Sequence, residues 1–327
     1  MKAILCQSHG LPDTLVLQDI SSPKPGPKQV VISVKACGVN FPDTLIIQGK
    51  YQFKPEMPFS PGGELAGVIK EVGEGVSHLK PGDHVIAFTG WGGFAEEVVT
   101  EAFKVIPIPP GFDFKVAASF AMVYGTSYHA LKDRAQLKAG ETVLVLGAAG
   151  GVGLATIQLA KAMGARVIAA ASSDEKLAVC QANGADELVN YSKNDWRERI
   201  KQITDGKGVD VIYDPVGGDY AEPAMRLMAW NGRYLVVGFA AGDIPKIPLN
   251  LALLKGCSIV GVFWGEFAMR QKQDNQANMM QLFGWLMEGK IKPHISRVYP
   301  LAQAAQALNQ LMARKTTGKV VLVTEGA

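Results

Sequence analysis

The stretch ETVLVLGAAGGVGLATIQLAKAMGARVIAAASS, residues 141 to 173, leaves few folds open. ETVLVLGAAG begins as a continuous apolar run of the kind found in strands buried on both faces, VGLATIQLAKAMGA has helix length with small residues on one side, and RVIAAAS is a second buried strand. Strand, glycine turn, helix and strand in that order make a βαβ unit. The turn GAAGGVG (147–153) lies straight after the strand and opens the helix, where a dinucleotide-binding turn must lie. Gly150 lets the backbone approach a pyrophosphate. The helix start at Gly151 and Val152 supplies free N–H groups and a partial positive charge, and Gly153 permits close helix-to-strand packing. Ala148 takes the first glycine position of G-x-G-x-x-G.

The unit recurs more loosely downstream. GVDVIYD and RYLVVGF are short buried strands, and DYAEPAMRLMAWNG between them predicts a helix stopped by Asn231 and Gly232. SIVGVFWG reads as the last, edge strand of a doubly wound parallel sheet. A long helical stretch, QANMMQLFGWLMEGK, leads into AQAAQALNQLMARK and a final strand, GKVVLV. Residues 1 to about 120 have another texture: short alternating apolar runs such as QVVISVKA and GGFAEEVV, broken by SSPKPGPK, SPGG, KPGD and PIPPG, predict an irregular β barrel or sandwich. At ~150 residues per domain, 327 residues make about two domains. The expected division is 1–122 completed by 266–327, with 123–265 as the nucleotide-binding domain.

Several partners are excluded. A net charge of +3, from 33 basic and 30 acidic residues mixed along the chain, gives no basic stripe for a nucleic-acid backbone. No apolar run approaches membrane-spanning length, and the start has no signal-peptide core, which places the protein in the cytoplasm. Four scattered cysteines form no metal-binding pair and read as free thiols.

The end of the second strand selects the cofactor. NAD enzymes place a carboxylate there for the ribose hydroxyls, and it repels a 2′-phosphate. Here Ala171 holds that position, followed by Ser172 and Ser173 as hydroxyl donors and by Lys176 one helical turn on. Asp174 and Glu175 open the next helix, where carboxylates suit the dipole. The expected cofactor is NADPH.

The ordered landmarks GVNFPDTLIIQGKY, PGGELAGVI, GDHVIAF, GGFAEEVV, GAAGGVG, SSDEK, NY, YDPVGG, GVFWG and TTGKVVL run from end to end of the chain. In them the sequence resembles the zinc-free quinone oxidoreductase branch, which includes zeta-crystallin, of the medium-chain dehydrogenase/reductase superfamily. The resemblance implies an α/β protein with a GroES-like, β-rich catalytic domain, a Rossmann domain and a cofactor in the cleft between them. It implies that Lys176, Tyr191 and Arg314 surround the 2′-phosphate, that Asn40, Thr126 and Phe263 lie by the nicotinamide, and that Tyr51 faces the substrate. Phe239, closing RYLVVGF, joins the cofactor-binding set. Leu45 stands where some members carry a second pocket tyrosine. A homodimer is also implied, and the apolar edge strand SIVGVFWG independently invites pairing with its copy.

Cys37, in KACGVNFPDT, holds the place of a zinc-ligating cysteine of the superfamily. A catalytic zinc there needs two more ligands, but the histidine position is Gly63 and the third lies near Met122. Asn40 replaces the acid that would follow the cysteine. The expectation is a buried thiol and no metal. Alcohol oxidation then lacks a Lewis acid, whereas quinones and α,β-unsaturated carbonyls stabilise negative charge themselves and need mainly positioning and a hydrogen bond. Asn40 and Tyr51 are the candidate donors. His9, His78, His84, His129 and His294 are scattered and read as structural or surface groups. The leading expectation is an NADPH:quinone reductase; an NADPH-dependent reductase of enones, enals or acrylates and a non-catalytic NADPH-binding or redox-sensing protein are the alternatives.

Overall fold

Apolar runs bounded by glycine and proline have become strands. The computed structural model describes residues 1–324. In chain order its first strands are β1 (Lys2–Leu5), β2 (Val16–Asp19), β3 (Gln29–Val39), β4 (Glu64–Val72), β5 (His84–Phe88), β6 (Glu97–Glu101) and β7 (Val105–Pro107). Then come β8 (Thr142–Val145), β9 (Arg166–Ala171), β10 (Glu187–Asn190), β11 (Val209–Asp214), β12 (Met228–Val236) and β13 (Ser258–Gly261), and last β14 (Ile295–Pro300) and β15 (Lys319–Val323).

Two compact units result. The first joins Met1–Met122 to the chain from Ile295 onward. Its main sheet runs β14-β15-β3-β4-β5-β7, with β6 also paired to β3. The long strand β3 is buried along most of its length because it has partners on both sides, β4 and β15 antiparallel to it. Ile32, Cys37, Leu65 and Phe94 fill the core beneath it.

The second unit, Val123–His294, holds six parallel strands in the order β10-β9-β8-β11-β12-β13. This doubly wound order changes direction beside β8, so the carboxyl ends of β8, β9 and β11 frame the usual ligand crevice of such a sheet. Val143, Leu144, Val167 and Ile168 are inaccessible to solvent, as a parallel sheet covered on both faces requires.

Two expectations change. The helix expected through DYAEPAMRLMAWNG ends early: only Ala221–Met225 is α-helical, and from Met228 the chain is already strand β12. Asn231 does not stop a helix; it sits in the left-handed region at φ 60°, where β12 shifts register against β11, and its N–H bonds Gly256 O. The chain also returns to the first unit at Ile295, not after residue 265. The helix Lys272–Met287 stays with the second unit because Asn278 bonds Asp133 and Lys132, and Trp285 packs edge-on against Tyr128.

Candidate functional site

In the first unit, the end of β3, the start of β4 and the start of β15 meet around four buried polar side chains. Lys319 Nζ donates to Asn40 Oδ1 at 2.6 Å and to Glu64 Oε2 at 3.0 Å. Asn40 Nδ2 donates to Glu64 Oε2 at 3.0 Å and to Gly38 O at 3.2 Å. Glu64 Oε1 accepts from the Met122 N–H at 2.8 Å. Asp43 Oδ2 accepts from the Asn40 N–H at 2.7 Å, starting the short helix Phe41–Ile46, and its Oδ1 accepts from the Gly62 N–H at 3.3 Å. Asn40, Asp43, Glu64 and Lys319 are 6%, 3%, 1% and 3% exposed. Burial raises the Asp43 pKa to about 7, against the opposing pull of the Asn40 and Gly62 N–H groups and the Lys319 charge.

Both hydrogens of Asn40 Nδ2 are therefore spent inside this network. Tyr51 differs. It is half-buried, its ring packs edge-on against Phe53 at 5.9 Å, and its hydroxyl has no hydrogen-bond partner among the described residues. Burial, and secondarily the charge of Asp43, holds its phenol pKa above the ordinary tyrosine value. Of the two expected donors, Tyr51 is the one with a hydrogen to offer.

The residues at the zinc-ligand positions do not fit a zinc ion. The Cys37 thiol donates to Glu64 O at 3.1 Å and is wedged against Gly62 and Gly93, whose added Cβ atoms would fall 2.9 and 2.7 Å from its sulfur. A side chain at Gly63 would meet the backbone of Gly90 at 2.7 Å. Met122 contributes its N–H to Glu64. Burial raises the Cys37 pKa well above that of a free thiol, which disfavours the thiolate a metal requires. Among the described residues no three of His, Cys, Asp and Glu gather as a metal site.

The second unit carries the glycine turn. Gly147 takes φ 57°, so this residue, one before the fingerprint's first position, supplies the left-handed step of the turn. Gly150 is the N-cap of the helix Gly151–Ala162. A Cβ on Gly153 would lie 2.5 Å from the carbonyl oxygens of Gly147 and Ala148, which explains the last glycine. The Ser127 hydroxyl donates to Val152 O at 3.1 Å and ties the helix Ala121–Tyr128, with half-buried Thr126, to the glycine-turn helix, within which the Thr156 hydroxyl donates to the same oxygen at 2.7 Å.

At the end of β9, Ala171 is the last strand residue and Ser173 caps the helix Asp174–Ala182. Lys176 Nζ donates to Ser172 Oγ at 3.0 Å, Ser192 Oγ donates to Ser172 O at 3.0 Å, and the Tyr191 N–H donates to Ala171 O at 3.1 Å. Ser172, Lys176 and Tyr191 thus come together. Asp174 is turned to Asn190, which donates to it at 2.9 Å. Arg314 belongs to the first unit, after the helix Ala304–Met312, with φ 56°.

Reading the sequence missed the clamp under the next loop. Asp214, at the end of β11, accepts from the N–H groups of Val216 and Gly217 at 2.7 and 2.9 Å and from the Tyr234 hydroxyl. Gly217, at φ 65°, lets Phe239 lie against the loop, since a Cβ there would meet its ring at 2.9 Å. Phe263 caps the helix Trp264–Arg270 and is 42% exposed. His129 is buried, bonded through Nδ1 to Asp133 at 2.9 Å and stacked on Phe267 at 3.9 Å, a packing role.

Residues 26–110 match the alcohol dehydrogenase GroES-like domain family, and residues 151–284 match the family described as zinc-binding dehydrogenase. The chain is 42% identical over 328 residues to the quinone oxidoreductase-like protein 2 homolog of Nematostella vectensis, covering 99% of this chain and 89% of that one. It is 38% identical over 327 residues to the quinone oxidoreductase of Rattus norvegicus, covering 99% and 98%. Among solved structures, the Escherichia coli quinone oxidoreductase complexed with NADPH aligns with a TM-score of 0.91 at 30% identity, over 99% of this chain and all of that one.

Proposed function

Because the chain belongs to the zinc-free quinone oxidoreductase branch of the medium-chain dehydrogenase/reductase superfamily, we propose that it is an NADPH:quinone reductase that works without a metal. NADPH, when bound, supplies the hydride. Gly150, Gly151 and Val152 offer the cradle for its pyrophosphate, Ser172, Lys176, Tyr191 and Arg314 the surroundings of its 2′-phosphate, and Thr126, Phe239 and Phe263 the contacts along its length. Asn40 shapes the floor of the catalytic unit at the nicotinamide. Tyr51 orients the acceptor and donates a hydrogen bond to the oxygen on which negative charge develops. Water delivers the one proton that, with the hydride, completes the quinol.

One observation carries this reading: the half-buried Tyr51 carries an unengaged hydroxyl beside Asp43, whose charge it feels, while Asn40, Glu64 and Lys319 bond one another. Such a site suits an acceptor that needs positioning and one donor. Steady-state NADPH oxidation with a small quinone, an enone and a 2-substituted acrylate tests it. The quinone is expected to give the highest kcat/KM. Preference for the enone or acrylate would make the protein a double-bond reductase, and turnover of none would leave a cofactor-binding protein.

The same reading includes a cytoplasmic homodimer. No helix among the described residues is long and apolar enough to cross a membrane. Beside the edge strand β13, Trp230, Leu249, Leu253 and Leu254 are each at least 70% exposed, and Ile259 lies on the edge itself. A second copy pairing along β13 would cover them.

A further inference from the structure

Lys319 is an ammonium inside an apolar strand, and its burial has to be answered by partners. Its three contacts are Asn40 Oδ1, Glu64 Oε2 and, at 3.5 Å, Val39 O. An ammonium only donates, so Asn40 must turn its oxygen toward Lys319. That leaves Nδ2 facing the two acceptors, Gly38 O and Glu64 Oε2. The orientation of the Asn40 amide is thus fixed from outside its own turn. Asn40 also starts the helix Phe41–Ile46, and the chain from that helix reaches Tyr51 within five residues of its end. Glu64 extends the same network to the Met122 N–H, at the edge of the first unit. The charged and titratable groups around the amide are Lys319, Glu64, Asp43 and the Cys37 thiol, all buried.

We propose that Lys319 is a positioning residue: its buried ammonium, paired with Glu64, locks the Asn40 amide and with it the turn that presents Tyr51. This rests on the proposed reductase reading and adds to it a residue that touches neither cofactor nor acceptor. Lys319→Met would free the Asn40 oxygen and leave the Glu64 charge buried without its counterion, which destabilises a fold. The double variant E64Q/K319M removes both charges and restores a neutral floor, so it separates positioning from stability.

The test measures four quantities on wild type, K319M and E64Q/K319M. These are thermal midpoint, affinity for 2′-phospho-ADP-ribose, kcat/KM for a quinone, and hydrogen exchange of the Asn40 side-chain amide by nuclear magnetic resonance. K319M is expected to lower the midpoint and the double variant to recover most of it. Both variants should lose at least tenfold in kcat/KM, bind 2′-phospho-ADP-ribose within twofold of wild type, and exchange the Asn40 amide at least tenfold faster. A double variant with a wild-type midpoint and wild-type kcat/KM would confine Lys319 to stability and overturn the proposal, as would an Asn40 amide whose exchange is unchanged in K319M. If the wild type reduces no acceptor, the reductase reading fails, while the amide exchange, which needs no turnover, still decides whether Lys319 holds Asn40.

Discussion

Lys176 Nζ donates to Ser172 Oγ across 3.0 Å at the end of β9, so the cation is parked beside the hydroxyl that follows Ala171. With no carboxylate at the strand end and Asp174 held by Asn190, a 2′-phosphate meets a cation and hydroxyls instead of repulsion. NADPH is expected to bind at least tenfold more tightly than NADH, about 1.4 kcal/mol. Lys176→Glu should abolish or reverse the preference with the fold intact. Titration calorimetry with both nucleotides measures it, and equal wild-type affinities would refute it.

Tyr51→Phe removes an unengaged hydroxyl from the catalytic unit. It should lower kcat/KM by roughly ten- to a thousandfold, about 1.4 to 4 kcal/mol. The loss should be greater for an enone, whose α-carbon must be protonated, than for a quinone. Asn40→Ala should also lower kcat/KM at least tenfold, since it removes the amide that Lys319 holds, and should in addition lose about 1–3 kcal/mol of stability because Glu64 and Lys319 lose a buried partner. Assays with both acceptors at saturating NADPH, beside thermal melts, separate the two effects.

Asp43 gives the protein a titration near neutrality. Its folded pKa, about 7, lies above the ordinary carboxyl value because burial penalises the charge. Between that ordinary value and 7 the folded state holds more protons than the unfolded state, so this group's contribution to stability falls as pH rises through the interval and levels off above it. The slope reaches at most about 1.4 kcal/mol per pH unit. A carbon-13 titration of the Asp43 carboxyl should show a midpoint near neutrality; a midpoint near 4 would remove the effect.

The thiols of Cys37 and Cys180 are buried, and burial pushes the Cys180 pKa up to about 12. Both should resist iodoacetamide at pH 8 in the native protein and react once it is unfolded. Adding zinc or a chelator should leave the thermal midpoint unchanged. Mass spectrometry of the labelled peptides and melts under both conditions provide the readout.

Light scattering at micromolar concentration should give twice the 35.0 kDa chain mass. Leu253→Glu with Ile259→Lys, on the exposed apolar face along β13, should yield monomers that retain NADPH binding. A monomeric wild type would count against the pairing.

The parallel sheet and its glycine turn were legible because each strand is a local apolar run and each helix follows directly. The same logic failed at MAWNG, where pairing of β12 with β11 and β13 overrode a helix signal. Glu64 and Lys319 escaped for a related reason. Each is a lone charge in an apolar strand, in PGGELAG and TTGKVVL, and its partner lies 255 residues away. Such a charge implies a counterion, but nothing local says which. For Tyr51 and Asn40 the sequence offers the chemistry, while which hydrogens are already engaged depends on the folded packing.

β15 lies between β14 and β3, so the first unit gains the strand that joins β14 to the rest of its sheet from the last strand of the described chain. On the ribosome, which makes the chain from its amino end, the parallel sheet of the second unit is complete in sequence well before Lys319 is synthesised. The catalytic floor therefore stays open, with Glu64 lacking its ammonium, until the final strand emerges. Synthesis order alone keeps a nascent or carboxyl-truncated chain from possessing a finished floor, even after its nucleotide-binding half has folded.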